Sequence, residues 1–411
     1  MIALLVVACA PTNGVPAAGD SVASEEVPTW YGDVEPIVVE NCGGCHSEGA
    51  LGPFPLTTYA AAKEMAPLMA DAVASRTMPP WEASPECGSF RGDMSLSDAD
   101  IARIVAWSEA GAPEGDSSLS KGVIPEGGTL TRTDFNIPMP EAYTPGTGPD
   151  DYRCFLLDWP EAEPTYLTGY RVNPDRDGLV HHVVMYLATP DQVEAYRTAD
   201  AAEDGEGFTC FGGPGVVSQA DAVWLGGWAP GAQNGDFPNG TGISIDPGSL
   251  VVMQVHYNTE HAESGPDQTT IDFMVDSSVS SPAIIQPWTD PAWLESDLMM
   301  IPAGQSGVTH RFSYDLSGYA FRIHTANLHM HTHGVSGRLW LTHGDGSEEC
   351  LLEIPKWDFN WQRTFVLDEP VTVNGDTLSI QCTWDNPTDH DIVWGEGTGD
   401  EMCLGTMLWS F

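Results

Sequence analysis

The sequence predicts a multidomain chain in which a small all-α unit precedes two all-β sandwich lobes. Three observations lead there. Helical periodicity is concentrated before residue 118, and from residue 129 onward short alternating segments are broken by Pro, Gly, Asn and Asp. That second region is also too long for one sandwich, so it divides near residues 287–302. The expected boundaries are 1–27 for a leader and tail, 28–118 for the helical unit, 119–128 for a linker, 129–290 for the first β lobe and 291–411 for the second.

The chain of 411 residues carries 15 Lys and Arg against 59 Asp and Glu, a net charge of -44, with 42% hydrophobic residues. Such a chain builds more than one core, and its charge repels nucleic acid, anionic lipid headgroups and small anionic reductants. The excess of acid reads as a solubility adaptation to salty surroundings.

Residues 1–9 form a short apolar run ending in Cys9, followed by a polar stretch rich in Pro, Gly, Ser and Glu. The run resembles a lipoprotein signal with Cys9 as the lipidated residue; it is too short to span a bilayer and lacks a basic start. A plain N-terminal tail is the alternative. In the helical unit, residues 58–75 are rich in Ala, Met and Leu, and Ser97 with Asp100 makes a capping-box-like start for Ile101, Ile104, Val105 and Trp107, stopped by Gly111. Residues 112–128, rich in Pro, Gly, Ser and Glu, read as linker. In the β region one surface helix is expected over residues 191–203.

Between the leader and these helices stands Cys42-Gly43-Gly44-Cys45-His46. Two thiols three positions apart add to the two vinyl groups of one haem, and the following histidine takes an axial position on the iron, so the pattern reads as c-type haem attachment through Cys42, Cys45 and His46. The competing readings are a zinc site, which wants a second Cys or His pair where only Cys87 is nearby, and a CxxC disulfide. Haem attachment and paired cysteines both belong outside the reducing cytoplasm, in a bacterial periplasm or at the cell surface.

Three histidine clusters fall in the β region: His181 with His182, His256, and His329 with His331. In a strand, side chains alternate, so His329 and His331 share a face and can grip one metal. Adjacent His181 and His182 point to opposite faces of a regular strand and need a bulge or strand end to converge. Gln254 lies on the face of His256 and is a candidate for orienting a ligand or substrate. Taken singly, each cluster also fits surface or hydrogen-bonded core histidines.

The order and flanks of these clusters resemble one family. The stretches His181-His182-Val183-Val184-Met185-Tyr186, Gly226-Gly227-Trp228-Ala229-Pro230-Gly231, Gln254-Val255-His256-Tyr257-Asn258, Leu328-His329-Met330-His331 and Asp400-Glu401-Met402-Cys403 look like those of the copper type II, ascorbate-dependent monooxygenases. The resemblance covers residues 129–411 and implies two jelly-roll-like lobes facing across a wet cleft, each with one copper. It implies one copper on His181, His182 and His256 for electron transfer, and an O2-binding copper on His329, His331 and Met402. It also implies disulfides Cys382–Cys403 and Cys154–Cys210, with Cys350 left without a partner. The soft thioether of Met402 favours Cu(I). His333 and Met407 rank below as a neighbouring and a core residue, and His261, His310, His324, His343 and His390 read as structural or surface. Leu404 after Cys403 gives no basis for recognising a peptide carboxylate, so substrate identity does not carry over.

The helical unit resembles the cytochrome c modules that bacteria fuse to such enzymes, through Arg76-Thr77-Met78-Pro79-Pro80-Trp81 and residues 109–116. Met78 is then the second axial ligand, with Met65, Met69 and Met94 as rivals. The expected cofactors are two copper ions and one covalent haem c. The expected function is hydroxylation of an aliphatic C–H bond in a small extracytoplasmic substrate with O2, the electrons passing from a redox donor protein or small reductant through the haem. A non-catalytic haem and copper electron carrier and a haem-fed copper reductase are the competing functions; a filled coordination sphere favours the carrier and an open cleft favours an enzyme.

Overall fold

The computed structural model describes residues 27–47, 52–120 and 130–411, apart from 147, 149, 177, 219–220, 230–234, 260–264, 295–296 and 398. Cys9 and its leader, residues 121–128 of the expected linker, and His261 lie outside the described residues.

Three α-helices form the N-terminal unit: α1 Glu35–Asn41, α2 Tyr59–Ala74 and α3 Asp98–Glu109. The capping residues act as the sequence expects. Thr58 accepts from the Ala61 N–H, Ser97 accepts from the Asp100 N–H, and Gly111 turns the chain out of α3 at φ +84°. Trp30, Val38, Ile104 and Trp107 fill a core between these helices, with the Trp30 and Trp107 rings 5.6 Å apart.

In the remaining chain the regular structure is almost all strand: β1 Phe135–Pro138, β2 Asp150–Asp158, β3 Thr165–Asn173, β4 Val180–Ala188, β5 Phe208–Thr209, β6 Val223–Trp228, β7 Thr241–Ile245, β8 Leu250–Asn258, β9 Thr270–Asp276 and β10 Ser281–Trp288, then β11 Val308–Asp315, β12 Ala320–His329, β13 Gly334–Thr342, β14 Glu348–Ile354, β15 Phe365–Asn374, β16 Thr377–Trp384 and β17 Leu404–Ser410. The expected surface helix is α4 Val193–Ala201, and a short α5 Pro291–Leu294 follows β10. No helix among the described residues is long and apolar enough to cross a membrane.

The two sandwiches are not separate bodies. One long sheet runs in the order β5-β2-β8-β4-β6-β10-β17-β12-β15. Strands β1-β9-β3-β7 close one half of it over a core of Phe155, Leu167, Met185, Val255 and Phe273, and β11-β16-β13-β14 close the other half over Ile323, Leu339, Leu352, Ile380 and Met407. β10 is the shared seam, pairing with β17 from Ala283↔Ser410 to Trp288↔Gly405. β8 is buried along nearly its whole length, with Val251, Met253 and Val255 in the core and Gln254 and His256 lining the cavity.

The expected disulfides Cys382–Cys403 and Cys154–Cys210 both form. A third, Cys87–Cys350, joins the two cysteines that the sequence leaves single. It fastens residues 80–91 of the N-terminal unit along the second sandwich. The Ser84 N–H donates to Glu353 O at 2.8 Å, Arg91 N–H to Val366 O at 2.8 Å, and Asp368 N–H to Ser89 O at 2.9 Å. Trp81 meets Phe365 edge-on at 5.1 Å, and Ala83 and Phe90 are buried in the sandwich core. Replacing both cysteines, Cys87→Ser with Cys350→Ser, should cost about 2–5 kcal/mol and expose residues 80–91 to limited proteolysis. Unchanged calorimetric stability and an unchanged cleavage pattern would contradict this docking.

Candidate metal centres

The first histidine set lies on neighbouring strands of the long sheet. His182 on β4 stands directly across from His256 on β8, and the register shifts between Val180 and His182. This irregularity is what adjacent histidines need to converge. The ligand-capable atoms of His181, His182 and His256 lie within 4.8 Å of one another. His182 Nδ1 is 3.2 Å from His181 Nδ1 and 3.4 Å from His256 Nδ1. Ring nitrogens at this spacing can hydrogen-bond to one another and are equally well arranged around a shared cation.

Asp150 on β2 fixes the His256 ring. Its carboxylate accepts from His256 Nε2 at 2.9 Å, leaving the Nδ1 lone pair for the cluster, while Tyr152 stacks on the imidazole at 4.1 Å. Burial drives all three histidines toward the neutral form that metals require; His256 falls to about 4 through burial and the His181 charge, against the pull of Asp150.

The second set is built at the end of β12. His329 is its last residue, and His331 already lies outside the ladder because its N–H donates to Glu401 Oε2 at 2.8 Å and its carbonyl accepts from Trp357 Nε1 at 3.0 Å. His329 Nδ1 donates to Gln362 Oε1 at 2.5 Å and His331 Nδ1 donates to Asp400 O at 3.0 Å, so each ring keeps Nε2 free. Burial and the His329 charge lower His331 to about 3. Met402 is buried and lines the same cavity, between Glu401 and the disulfide residue Cys403. Glu401 is fully buried and accepts from the N–H groups of His331, His333 and Met402 and from Trp384 Nε1. Burial pushes its carboxyl up to about 7 against those donors.

Both sets line one cavity of about 530 Å³ over the outer face of the long sheet. Phe359 stands at their meeting point, stacked on His181 at 5.2 Å and edge-on to His331 at 6.2 Å. The wall is aromatic, with Trp224, Trp228 and Phe237. The Gly226-Gly227 pair belongs to that wall: Gly226 has φ +148° and a Cβ there would lie 2.4 Å from the Tyr170 ring, whose hydroxyl donates to Gly227 O at 2.8 Å. Gln254 also lines the cavity, but its amide nitrogen donates to Cys210 O and Gly213 O, so it holds a loop while Asp150 orients His256. Met407 packs in the core beneath, and the His333 N–H serves Glu401.

In the N-terminal unit, Cys42 and Cys45 are free thiols. Burial and the neighbouring Cys45 push Cys42 up to about 12. His46 Nδ1 donates to Phe54 O at 2.9 Å, leaving Nε2 available. Two free thiols and a tautomer-fixed imidazole fit a covalently attached haem. Met78 is half-buried on the turn after α2, Met69 is buried among the helices with Met65 against them, and Met94 Sδ receives Arg363 Nη1 at 4.0 Å.

Asp150, Glu401, Phe359 and Gln362 escape the sequence reading. Glu401 carries a local signal, an acid wedged between a ligand and a cysteine; the other three come from distant strands or loops and carry none. Asp150→Ala should weaken copper at the first set by about 10–100-fold while sparing the second, as read by copper titration; equal loss at both sets would contradict separate support. In copper-free protein the depressed histidines make the folded state bind fewer protons than the unfolded. The depressed histidines by themselves therefore lower stability as pH drops from the ordinary value of 6.5 toward about 4, while the raised Glu396 and Glu401 carboxyls act in the opposite direction. The histidine share is read as the difference in urea midpoint between the copper-free parent and a His256→Asn variant; a parent that loses no more stability than the variant over that window would contradict it.

Comparison with known families gives the geometry a context. Residues 135–264 match the copper type II ascorbate-dependent monooxygenase, N-terminal domain, and residues 293–409 match the C-terminal domain of the same family. Among solved structures, a subviral particle of infectious bursal disease virus VP2 is 11% identical over 69% of this chain and 72% of that one, with a TM-score of 0.18. The major capsid protein P2 of bacteriophage PM2 is 9% identical over 67% and 96%, with a TM-score of 0.24. A peptide-N(4)-(N-acetyl-β-D-glucosaminyl) asparagine amidase is 10% identical over 67% and 95%, with a TM-score of 0.29. These structural likenesses are too distant to carry an argument. The two family matches together span more than half of the sequence, and the chain belongs to the copper type II ascorbate-dependent monooxygenases, oxidoreductases that bind two copper ions.

Proposed function

We propose that this monooxygenase hydroxylates an aliphatic C–H bond of a small extracytoplasmic molecule, with electrons supplied through a c-type haem. The observation that carries the reading is the convergence of two histidine sets on one aromatic-walled cavity, with the tautomers of His256, His329 and His331 fixed by acceptors behind the rings. His181, His182 and His256 hold one copper; His329, His331 and Met402 hold the other. Bound copper supplies one-electron chemistry and O2 activation.

The chain's own residues do the rest. Trp224, Trp228, Phe237 and Phe359 bind an apolar substrate and exclude water. Glu396, at the cavity wall, is pushed up to about 7 by burial and the Asp400 charge, so it can hold or release a proton there. The overall reaction consumes substrate, O2, two electrons and two protons and yields alcohol and water. An open cavity serves an enzyme, where a relay protein wants its coordination filled.

Cys42 and Cys45 would hold the haem and His46 Nε2 and Met78 would ligate its iron; when bound, the haem would supply one-electron transfer. Three disulfides support an oxidising compartment, and Cys9 is the proposed lipid anchor. With a net charge of -44, a cationic donor protein suits this surface better than an anionic small reductant.

Met402→Ala should abolish hydroxylation and weaken one copper, whereas Met407→Ala should cost about 2–5 kcal/mol of stability and leave copper stoichiometry intact. O2 uptake and product formation against candidate substrates, with copper and haem content measured on the same sample, test the assignment. Full activity in Met402→Ala would overturn it.

A further inference from the structure

A single loop touches both histidine sets. Residues 355–364 connect β14 to β15. Within them Trp357 Nε1 donates to His331 O at 3.0 Å, Phe359 lies against both His181 and His331, and Gln362 Oε1 accepts from His329 Nδ1. The loop is also tied to itself. Gln362 Nε2 donates to Phe359 O at 2.9 Å, and the Asp358 carboxylate accepts from the backbone and side-chain N–H groups of Asn360 at 3.0 Å. Phe359 and Gln362 are therefore placed together, and with them the supports of imidazoles in both sets.

This loop lies outside every strand, and ordering it costs conformational entropy that its contacts must offset. Several of those contacts come from the N-terminal unit. The Asp358 N–H donates to Glu82 Oε1 at 2.7 Å, the buried Arg363 donates from Nη2 to Pro80 O at 3.0 Å, and its guanidinium lies 5.5 Å from the centroid of the Trp81 ring. They grip the two ends of the segment 358–363, between which Phe359 and Gln362 stand. Residues 80–82 are themselves anchored, because the chain continues at once into Ser84, bonded to Glu353 O, and into the Cys87–Cys350 disulfide. Burial pushes the Glu82 carboxyl up to about 8, so it accepts from Asp358 as a largely neutral acid, a role that an amide oxygen can copy.

We propose that residues 80–82 of the N-terminal unit clasp the loop of Phe359 and Gln362 and thereby position the ligands of both copper sets. Glu82 is a positioning residue: it acts on copper only through the loop. The N-terminal unit thus supports the copper cavity mechanically, a role separate from any supply of electrons. This rests on the two ligand sets assigned above and makes no use of the haem.

The test uses the full chain, with copper titrated into two backgrounds that each keep one set, His331→Ala and His182→Ala. Failure of both backgrounds to hold copper would defeat the ligand assignment itself. With copper bound, Glu82→Ala should weaken it at both sets by about 10-fold and broaden the Cu(II) electron paramagnetic resonance spectrum of each. Glu82→Gln, which keeps an acceptor for the Asp358 N–H, should restore both. Ser89→Ala removes a contact of the same strap with Asp368, away from the loop, and should change neither. Phe359→Ala, within the loop, should disturb the spectra of both sets. A Glu82→Ala protein with parental affinities and spectra, or one indistinguishable from Ser89→Ala, would overturn the inference and leave the ligand sets standing; so would a Phe359→Ala protein altered at one set alone.

Discussion

Everything about the site depends on β17 pairing with two partners at once. On one edge it takes β10, the last strand of the first sandwich; on the other it takes β12, which ends in His329. Because the ladder is continuous, the two halves share a sheet, and the histidines of β4 and β8 open onto the same outer face as those of β12. β17 begins directly after Met402 and Cys403, so the pairing His329↔Leu404 sets the thioether beside the imidazoles. The Cys382–Cys403 bridge then ties the start of β17 to β16 in the facing sheet. The family resemblance implies lobes facing across a cleft; here the cleft has become one cavity roofed by Phe359.

Crowding five imidazoles into that cavity is electrostatically tolerable only if they stay neutral. Burial ensures this, and the charges that would develop on neighbouring rings reinforce it across both sets: His182 feels His329 and His331 as well as His181 and His256. Neutral rings still have two tautomers, and the acceptors at their rear choose between them. Asp150 selects Nδ1 of His256 as the free nitrogen; Gln362 and Asp400 O select Nε2 of His329 and His331. Asp150 adds charge to one site and the neutral acceptors do not, a difference that tunes the two sites unequally.

Much of this was legible in the sequence. The caps at Thr58 and Ser97 rest on local hydrogen bonds, and the HH pair carries its geometry in its spacing, including the bulge that His181 and His182 demand. What escaped was non-local. Cys87 and Cys350 are 263 residues apart and belong to different units, so spacing says nothing of their bond. The departure of His331 from its strand needs Glu401, which arrives from the far end of the chain. The docking of residues 80–91 along β14 and β15 turns a stretch that looked like part of a helical domain into a strap across a sandwich.

The central claim is spatial: two coppers in one cavity on a shared sheet. Anomalous diffraction from crystals of the metal-loaded full chain, collected at the copper and iron edges, measures this directly. Two copper peaks should appear, one at His181, His182 and His256 and one at His329, His331 and Met402, with an iron peak beside His46. Copper at only one set would contradict it.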